Sequence, residues 1–295
     1  MDVRRINPQF VGEVRACDVA VRQGPADIAA IRSLMDELAV LVLKDQHGLD
    51  DDALLRFSEA FGPLHRSITT NRSDMERRLG RDALSDISNI DRDGAIVPPD
   101  DARRLQQRAN LIWHTDNSFR RPAGLYTMLA ARIVPPAGGE TEFADARGAY
   151  EALPAATKAK IDTLQVEHSL AHSRFLVGTD KVFAAEEAER FPATVQPLVR
   201  AHAGRRSLYI GSHAWRVVGW TYEDSQALLG ELLAFATQPQ FVYRHSWTAG
   251  DLVMWDNRTT LHRALPFDDV NHRRDLRRTS SMLEEDAPQL HQPSL

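Results

Sequence analysis

The spacing of apolar residues changes several times along the chain. Over 26–37, Ile28, Ile31, Leu34 and Met35 recur at helical spacing behind Asp27, which predicts a helix. The run LAVLVL at 38–43 is short and branched, and reads as a fully buried strand. Asp50 to Asp52 then open a second helix with Leu54, Phe57 and Phe61 on one face, ended by Gly62-Pro63. From 64 to 110 the pattern weakens, with many Arg and Asp, Pro98-Pro99 and one clear short strand at 86–90. Long irregular stretches in compact domains are usually functional or disordered. Segment 64–110 is therefore expected to be a mobile lid near a site.

Beyond Asn110 strand patterns dominate, at 125–130, 141–144, 198–202, 207–210, 241–247, 252–255 and 278–283, punctuated by Gly and Pro. Helical patterns interrupt at about 146–163 and 222–236. No repeat divides the chain, so residues 1–295 are expected to form one domain, mainly β with flanking helices. Many strands with a helical insertion suggest a barrel or sandwich, not an alternating parallel sheet.

Composition narrows the partners. The 36 Lys and Arg stand against 41 Asp and Glu, a net charge of -5 that gives no overall attraction to nucleic acid or an anionic membrane. The single Cys17 excludes a disulfide framework and a cysteine metal cluster, and fits a reducing compartment. The start MDVRRINPQF lacks an apolar signal core, and the longest apolar run, 38–43, is too short to cross a bilayer. A soluble cytoplasmic protein without nucleic-acid or membrane partners is expected.

Three stretches concentrate chemistry. WHTDNSF carries His114 and Asp116, which on a strand would project from the same face. GDLVMWDNRTTLHRA ends in His262 just beyond an apolar strand, and RRDLRRTSS alternates Arg274, Leu276 and Arg278 on one face with Arg273, Asp275 and Arg277 on the other. Two histidines and a carboxylate on a β scaffold match the facial triad of non-haem Fe(II) oxygenases. A structural zinc site would want four ligands, usually including cysteine. Taken alone the triad spacing is weak, because a capped core histidine beside a turn aspartate fits it too. An Arg twelve positions after His262 adds a guanidinium fork suited to a dicarboxylate. A solvated basic stripe is the competing explanation of that run. His168 and His172, four apart, could pair on a helix, but lacking a third ligand they read as surface or pocket-rim histidines.

Together VLVLKDQ, FSEAFGPL, SDISNI, WHTDNSF, VPPAGGETEFADARGAYEALP, GDLVMWDNRTTLHRA and RRDLRRTS make the chain, from about 5 to 284, resemble the taurine dioxygenase/2,4-D dioxygenase family of Fe(II)- and 2-oxoglutarate-dependent oxygenases, closest to its 2,4-dichlorophenoxyacetate branch. The resemblance implies a double-stranded β-helix, or jelly-roll barrel. It implies His114, Asp116 and His262 as catalytic iron ligands, with Thr141 and Arg274 holding the distal carboxylate of the cosubstrate. Arg278 would face the substrate's anionic group, His213 in YIGSHAW would lie beside the substrate, and Asn110 is a further substrate-site candidate. The implied cofactors are Fe(II), 2-oxoglutarate and O2. The implied reaction hydroxylates a small anionic organic acid, foremost an aryloxyalkanoate that then breaks into a phenol and an oxoacid, with succinate and CO2 as coproducts.

One departure bears on the substrate: relatives that cleave phenoxyacetates often carry a histidine three residues after the one matched by His213, where this chain has Arg216. The alternatives are an alkyl sulfonate or another carboxylate as substrate, and, from another class, a non-catalytic anion-binding barrel. Family members are commonly oligomers, so a homo-oligomer is expected.

Overall fold

The computed structural model describes residues 2–69, 77–179 and 188–284. Its strands are β1 (Asp2–Asn7), β2 (Val11–Arg15), β3 (Val40–Leu43), β4 (Ser85–Ser88), β5 (Gly124–Ile133), β6 (Thr141–Asp145), β7 (Gln165–His168) and β8 (Thr194–Pro197), followed by β9 (Val199–His202), β10 (Arg205–Leu208), β11 (Ala214–Val217), β12 (Val242–His245), β13 (Leu252–Asp256), β14 (Thr260–Ala264) and β15 (Asp275–Met282). Around them pack α1 (Pro25–Leu38), α2 (Asp51–Glu59), α3 (Ala102–Gln107), α4 (Ala146–Ala152), α5 (Ala155–Ile161), α6 (Leu170–Leu176) and α7 (Tyr222–Ala236).

A seven-stranded sheet in the order β1-β2-β3-β13-β5-β15-β4 faces a three-stranded sheet in the order β12-β6-β14. Phe143 of β6 meets Trp255 of β13 across the gap, ring centres 5.4 Å apart. This is the expected jelly roll. The uninterrupted apolar runs of β3 and β13 follow from burial on both faces, because a strand covered on each side has no polar positions to alternate. Val40, Val42, Val253 and Trp255 point into the barrel, while Leu41, Leu43, Leu252 and Met254 pack outward with Ile31, Met35 and Phe57 of α1 and α2.

Local chemistry sets the boundaries. Leu38 closes α1 and Ala39 turns the chain at φ 68°, so the apolar run at 38–43 divides between a helix end and β3. The helical pattern at 146–163 splits into α4 and α5 because Pro154 follows Leu153; Asp145 caps α4 by accepting from the Arg147 amide. β15 starts at Asp275, earlier than its apolar pattern suggests, and bulges between Asp275 and Leu276.

Segment 64–110 is more ordered than its composition suggests: the described part contains β4, α3 and a 3-10 turn, and residues 70–76 lie outside the described ones. The histidine pair is corrected outright. His168 ends β7 and His172 lies in α6, both buried, so they share neither a helix nor the surface.

Candidate active site

His114 and Asp116 do not sit on a strand, contrary to the expectation. His114 makes one antiparallel bridge with His262, through His114 N–H to His262 O at 3.0 Å and the reverse bond at 2.8 Å, and the chain then enters a turn at Asp116. His262 lies in the middle of β14, paired on its other side with Phe143 of β6. The turn swings the Asp116 carboxylate back toward both rings. One ligand atom from each of the three residues lies within 4.8 Å of the others. His114 Nε2 is 3.9 Å from Asp116 Oδ1, and His262 Nε2 is 3.5 Å from Asp116 Oδ2.

The protonation of this group suits a cation. His114 Nδ1 lies 2.8 Å from the Ile112 carbonyl, which can only accept, so the proton sits on Nδ1 and the Nε2 lone pair faces Asp116. Burial pushes the His114 imidazole below its ordinary value despite the Asp116 charge, and burial with the neighbouring His114 pushes His262 well below. Burial opposes the charge on Asp116, yet its carboxyl is held well below the usual carboxylate range, with the Arg278 guanidinium the foremost neighbour favouring the charge and the Thr127 hydroxyl donating to it. Two neutral imidazoles and an ionised carboxylate facing one another leave lone pairs that a divalent cation satisfies. The donor set, two nitrogens and one oxygen without sulfur, fits Fe(II) with open positions.

Several residues aim these groups, and sequence reasoning missed them. Asn257, between β13 and β14, accepts from the Asp116 amide at 3.1 Å and from Trp255 Nε1 at 3.2 Å, and its Nδ2 donates to Thr127 Oγ1 at 2.9 Å. Thr127 in turn donates to Asp116 Oδ2 at 2.9 Å. The one sequence signal was Thr127, a polar residue lodged in the apolar run LYTMLAA; Asn257 sits among polar neighbours in WDNRTT and gave none.

A cavity beside the triad is lined by Asn110, His114, Thr141, His262, Arg274 and Arg278 with an apolar wall that includes Ile87 and Trp255. Each of these polar residues is a candidate that the family resemblance suggested. Arg274 is 6% exposed, its Nη2 donates to Gly139 O at 3.3 Å, and its Nε is buried without a partner. Burial pushes this guanidinium down to about 10. A buried cation that lines a cavity and is incompletely paired asks for an anion. Gly139, at φ 73°, adopts a conformation that disfavours side chains, and an added Cβ there would lie 3.5 Å from Arg274 Nε. Asn89 fixes the Arg274 backbone, accepting from its amide at 2.8 Å and donating its own amide to its carbonyl at 3.2 Å. Thr141 Oγ1 accepts from Trp247 Nε1 at 3.0 Å, which leaves the hydroxyl proton free to donate.

Arg278 lines the same cavity while donating from Nη1 to Asp116 Oδ1 at 2.9 Å, so it touches the proposed ligand carboxylate as well as the open space. Asn110 and Arg278 also line an adjoining outer cleft with Leu84, Ile87 and Arg174. His213 is not among the residues lining the inner cavity. It lies next to the triad, its ring edge-on to His114 with centres 6.2 Å apart and against Phe119 at 4.8 Å. Arg216 is turned away, paired with Glu167 at 3.1 Å and lying over Trp215.

The barrel and its two-histidine, one-carboxylate cluster define a non-haem iron oxygenase. Residues 2–280 match the model of the taurine catabolism dioxygenase TauD, TfdA family, and the chain belongs to that family. It is 41% identical over 280 residues to the alpha-ketoglutarate-dependent 2,4-dichlorophenoxyacetate dioxygenase of Burkholderia sp. strain RASC, covering 94% of this chain and 93% of that one. It is 36% identical over 241 residues to the (S)-phenoxypropionate/alpha-ketoglutarate-dioxygenase of Sphingobium herbicidovorans, covering 79% and 78%. Among solved structures it resembles AAD-2 in complex with Mn(II) and N-oxalylglycine, with TM-score 0.90, 38% identity, and 96% and 98% of the two chains covered.

Proposed function

We propose that this chain oxidises an aryloxyalkanoate, with His114, Asp116 and His262 as the iron ligands, Arg274 and Thr141 as the anchors of 2-oxoglutarate, and Arg278, Asn110 and His213 on the substrate side. It is a 2-oxoglutarate-dependent dioxygenase that uses Fe(II), 2-oxoglutarate and O2. The observation that carries the residue assignment is the buried Arg274, whose Nε has no partner among the described residues, lining the same cavity as His114 and His262. The substrate class rests on the relatives, which act on phenoxyacetates and phenoxypropionates.

When bound, Fe(II) with 2-oxoglutarate and O2 supplies the oxidising power that converts the cosubstrate to succinate and CO2 and places an oxygen atom on a substrate C–H. The protein does the rest. His114 and His262 offer neutral nitrogens, and Asp116 offers a charge that Arg278 and Thr127 keep ionised and oriented. Arg274 provides a fork for the distal carboxylate, and the Thr141 hydroxyl donates to the same group. Arg278 pairs with the substrate's carboxylate and so fixes which carbon faces the metal. When the hydroxylated carbon also carries the ether oxygen, the product is a hemiacetal, which loses its hydroxyl proton and expels the phenol to leave an oxoacid. Ile87, Leu129 and Trp255 keep water from the reacting carbon.

The reading includes a single domain over 1–295, with 64–110 covering the site; Leu84, Ile87 and Arg78 of that segment line the outer cleft. It also includes a cytoplasmic homo-oligomer without nucleic-acid or membrane partners. The net charge of -5 gives no overall attraction to nucleic acid or an anionic membrane, and among the described residues no helix is long and apolar enough to cross a membrane. The test is succinate release by the iron-loaded enzyme with phenoxyacetates, phenoxypropionates, alkyl sulfonates and simple carboxylates. Succinate and a phenol in stoichiometric amounts from the aryloxyalkanoates support the proposal. Turnover confined to sulfonates moves the substrate class, and no turnover with any member overturns it.

A further inference from the structure

Outside the iron site lies a second concentration of cations. A cleft of about 710 Å³ is lined by Arg66, Arg120, Arg121 and Arg190 with the rings of Phe119 and Phe191, and no Asp or Glu lines it among the described residues. Arg66 is paired with Asp82, and Arg121 donates to the Val195 carbonyl at 2.8 Å. Arg120 differs. Its Nη1 donates to the Arg66 carbonyl at 3.0 Å and lies 3.4 Å from His65 Nδ1, but its Nε is buried without a partner. No carboxylate among the described residues pairs with it. His65, in the same wall, is also buried. Burial, then the like charges of Arg278 and Arg190, pushes Arg120 down to about 10, while burial and then Arg120 push His65 down to about 4. A desolvated cation among cations is costly, and an incoming anion removes that cost.

The rings specify the anion further. The Arg120 guanidinium carbon is 4.7 Å from the Phe191 ring centre and 5.7 Å from that of Phe119, and Arg190 lies 5.3 Å from the same Phe191 ring. Phe119 is buried against His213 and Phe191, whereas the Phe191 ring is only half-buried and offers contact to a flat ring while the Arg120 guanidinium takes its carboxylate. A small inorganic ion would use only the charges.

We propose that this cleft is a second binding site, distinct from the iron cavity, for an aromatic monocarboxylate held by Arg120 and packed against Phe191. The site does not depend on the reaction assigned above, since none of its residues is a proposed iron or 2-oxoglutarate ligand. It does adjoin that site: Phe119 also packs against His213, whose ring meets His114.

Calorimetric titration with benzoate tests it on protein loaded with Fe(II) and 2-oxoglutarate under anaerobic conditions. Benzoate binding should persist in Arg278→Met, which addresses the iron cavity, and weaken at least about tenfold in Arg120→Met, the loss of one charged hydrogen-bonded contact. Phe191→Leu should weaken benzoate and leave acetate unchanged. Should Arg120→Met fail to fold, Arg120→Lys and Phe191→Leu decide, each expected to weaken benzoate. Absent binding to the wild type, binding lost only in Arg278→Met, or binding indifferent to every Arg120 and Phe191 change would overturn the proposal.

Discussion

At the scale of single residues the account turns on which side chains hold an atom of the reaction and which hold those side chains. His114→Ala should reduce iron retention and succinate formation to the level of iron-free protein, measured by metal analysis beside a turnover assay. Asn257→Ala should act more mildly, lowering metal affinity by about 10- to 100-fold, because it frees the Asp116 amide and Thr127 from their common partner. Arg274→Met should raise the KM for 2-oxoglutarate by about 30-fold or more, since removing one partner of a buried charge pair costs at least about 2 kcal/mol. The spacing of His114, Asp116 and His262 was only weakly legible by itself, since a core histidine beside a turn aspartate has the same pattern; the resemblance of the surrounding motifs made the three residues candidates. Asn257, Thr127 and Trp247 were not among them. Their importance lies in hydrogen bonds to residues more than 100 positions away or on another strand, such as Thr127 to Asn257 and Trp247 to Thr141. Arg216 shows the converse: its sequence position left the pocket and the solvent equally open, and the pairing of β11 with β7 sets it opposite Glu167.

At the scale of elements, the strands that carry the site are fixed by their neighbours. β4 and β15 are tied by Arg78, which donates to Asp86 at 2.6 and 2.9 Å and to Asp275 at 2.7 and 3.0 Å. Asp275 adjoins Arg274, so this clamp also holds the 2-oxoglutarate anchor. Arg78→Met should cost about 3 kcal/mol in denaturant unfolding, because two carboxylates then lose a shared buried counter-charge. Phe143→Ala, which empties the contact between β6 and Trp255, should cost about 3–5 kcal/mol by the same measurement. Strands β3, β5 and β13 were readable because both faces are buried and the apolar signal is continuous. β1, with its Arg-rich exposed edge, and the four-residue strands β7, β8 and β11 gave no such signal. Their existence depends on pairing with distant segments rather than on their own composition.

At the scale of the whole molecule, the sequence limited the architecture to a β barrel or sandwich with flanking helices, and the family resemblance supplied the jelly roll. The order that inserts β13 between β3 and β5 is a matter of non-local pairing that periodicity does not encode. Burial of neutral histidines makes the fold acid-sensitive. His65 is pushed down to about 4 and His168 to about 3, both chiefly by burial. Below the ordinary histidine value near 6.5 the unfolded chain therefore binds protons that the folded chain refuses. Stability should fall as pH drops, by about 1.4 kcal/mol per pH unit for each of the two between about 6.5 and 4. Urea unfolding at a series of pH values measures that slope, and a flat profile would contradict the neutral burial of these rings.

The central claim is that one cavity holds both the metal triad and the anchor for 2-oxoglutarate. Anaerobic visible absorption of the iron-loaded protein, titrated with 2-oxoglutarate beside Arg274→Met, tests it most directly. The account predicts a metal-to-ligand charge-transfer band in the wild type that saturates with 2-oxoglutarate, and in the variant only at much higher concentration. No band with iron bound, or the same titration in both proteins, would contradict it.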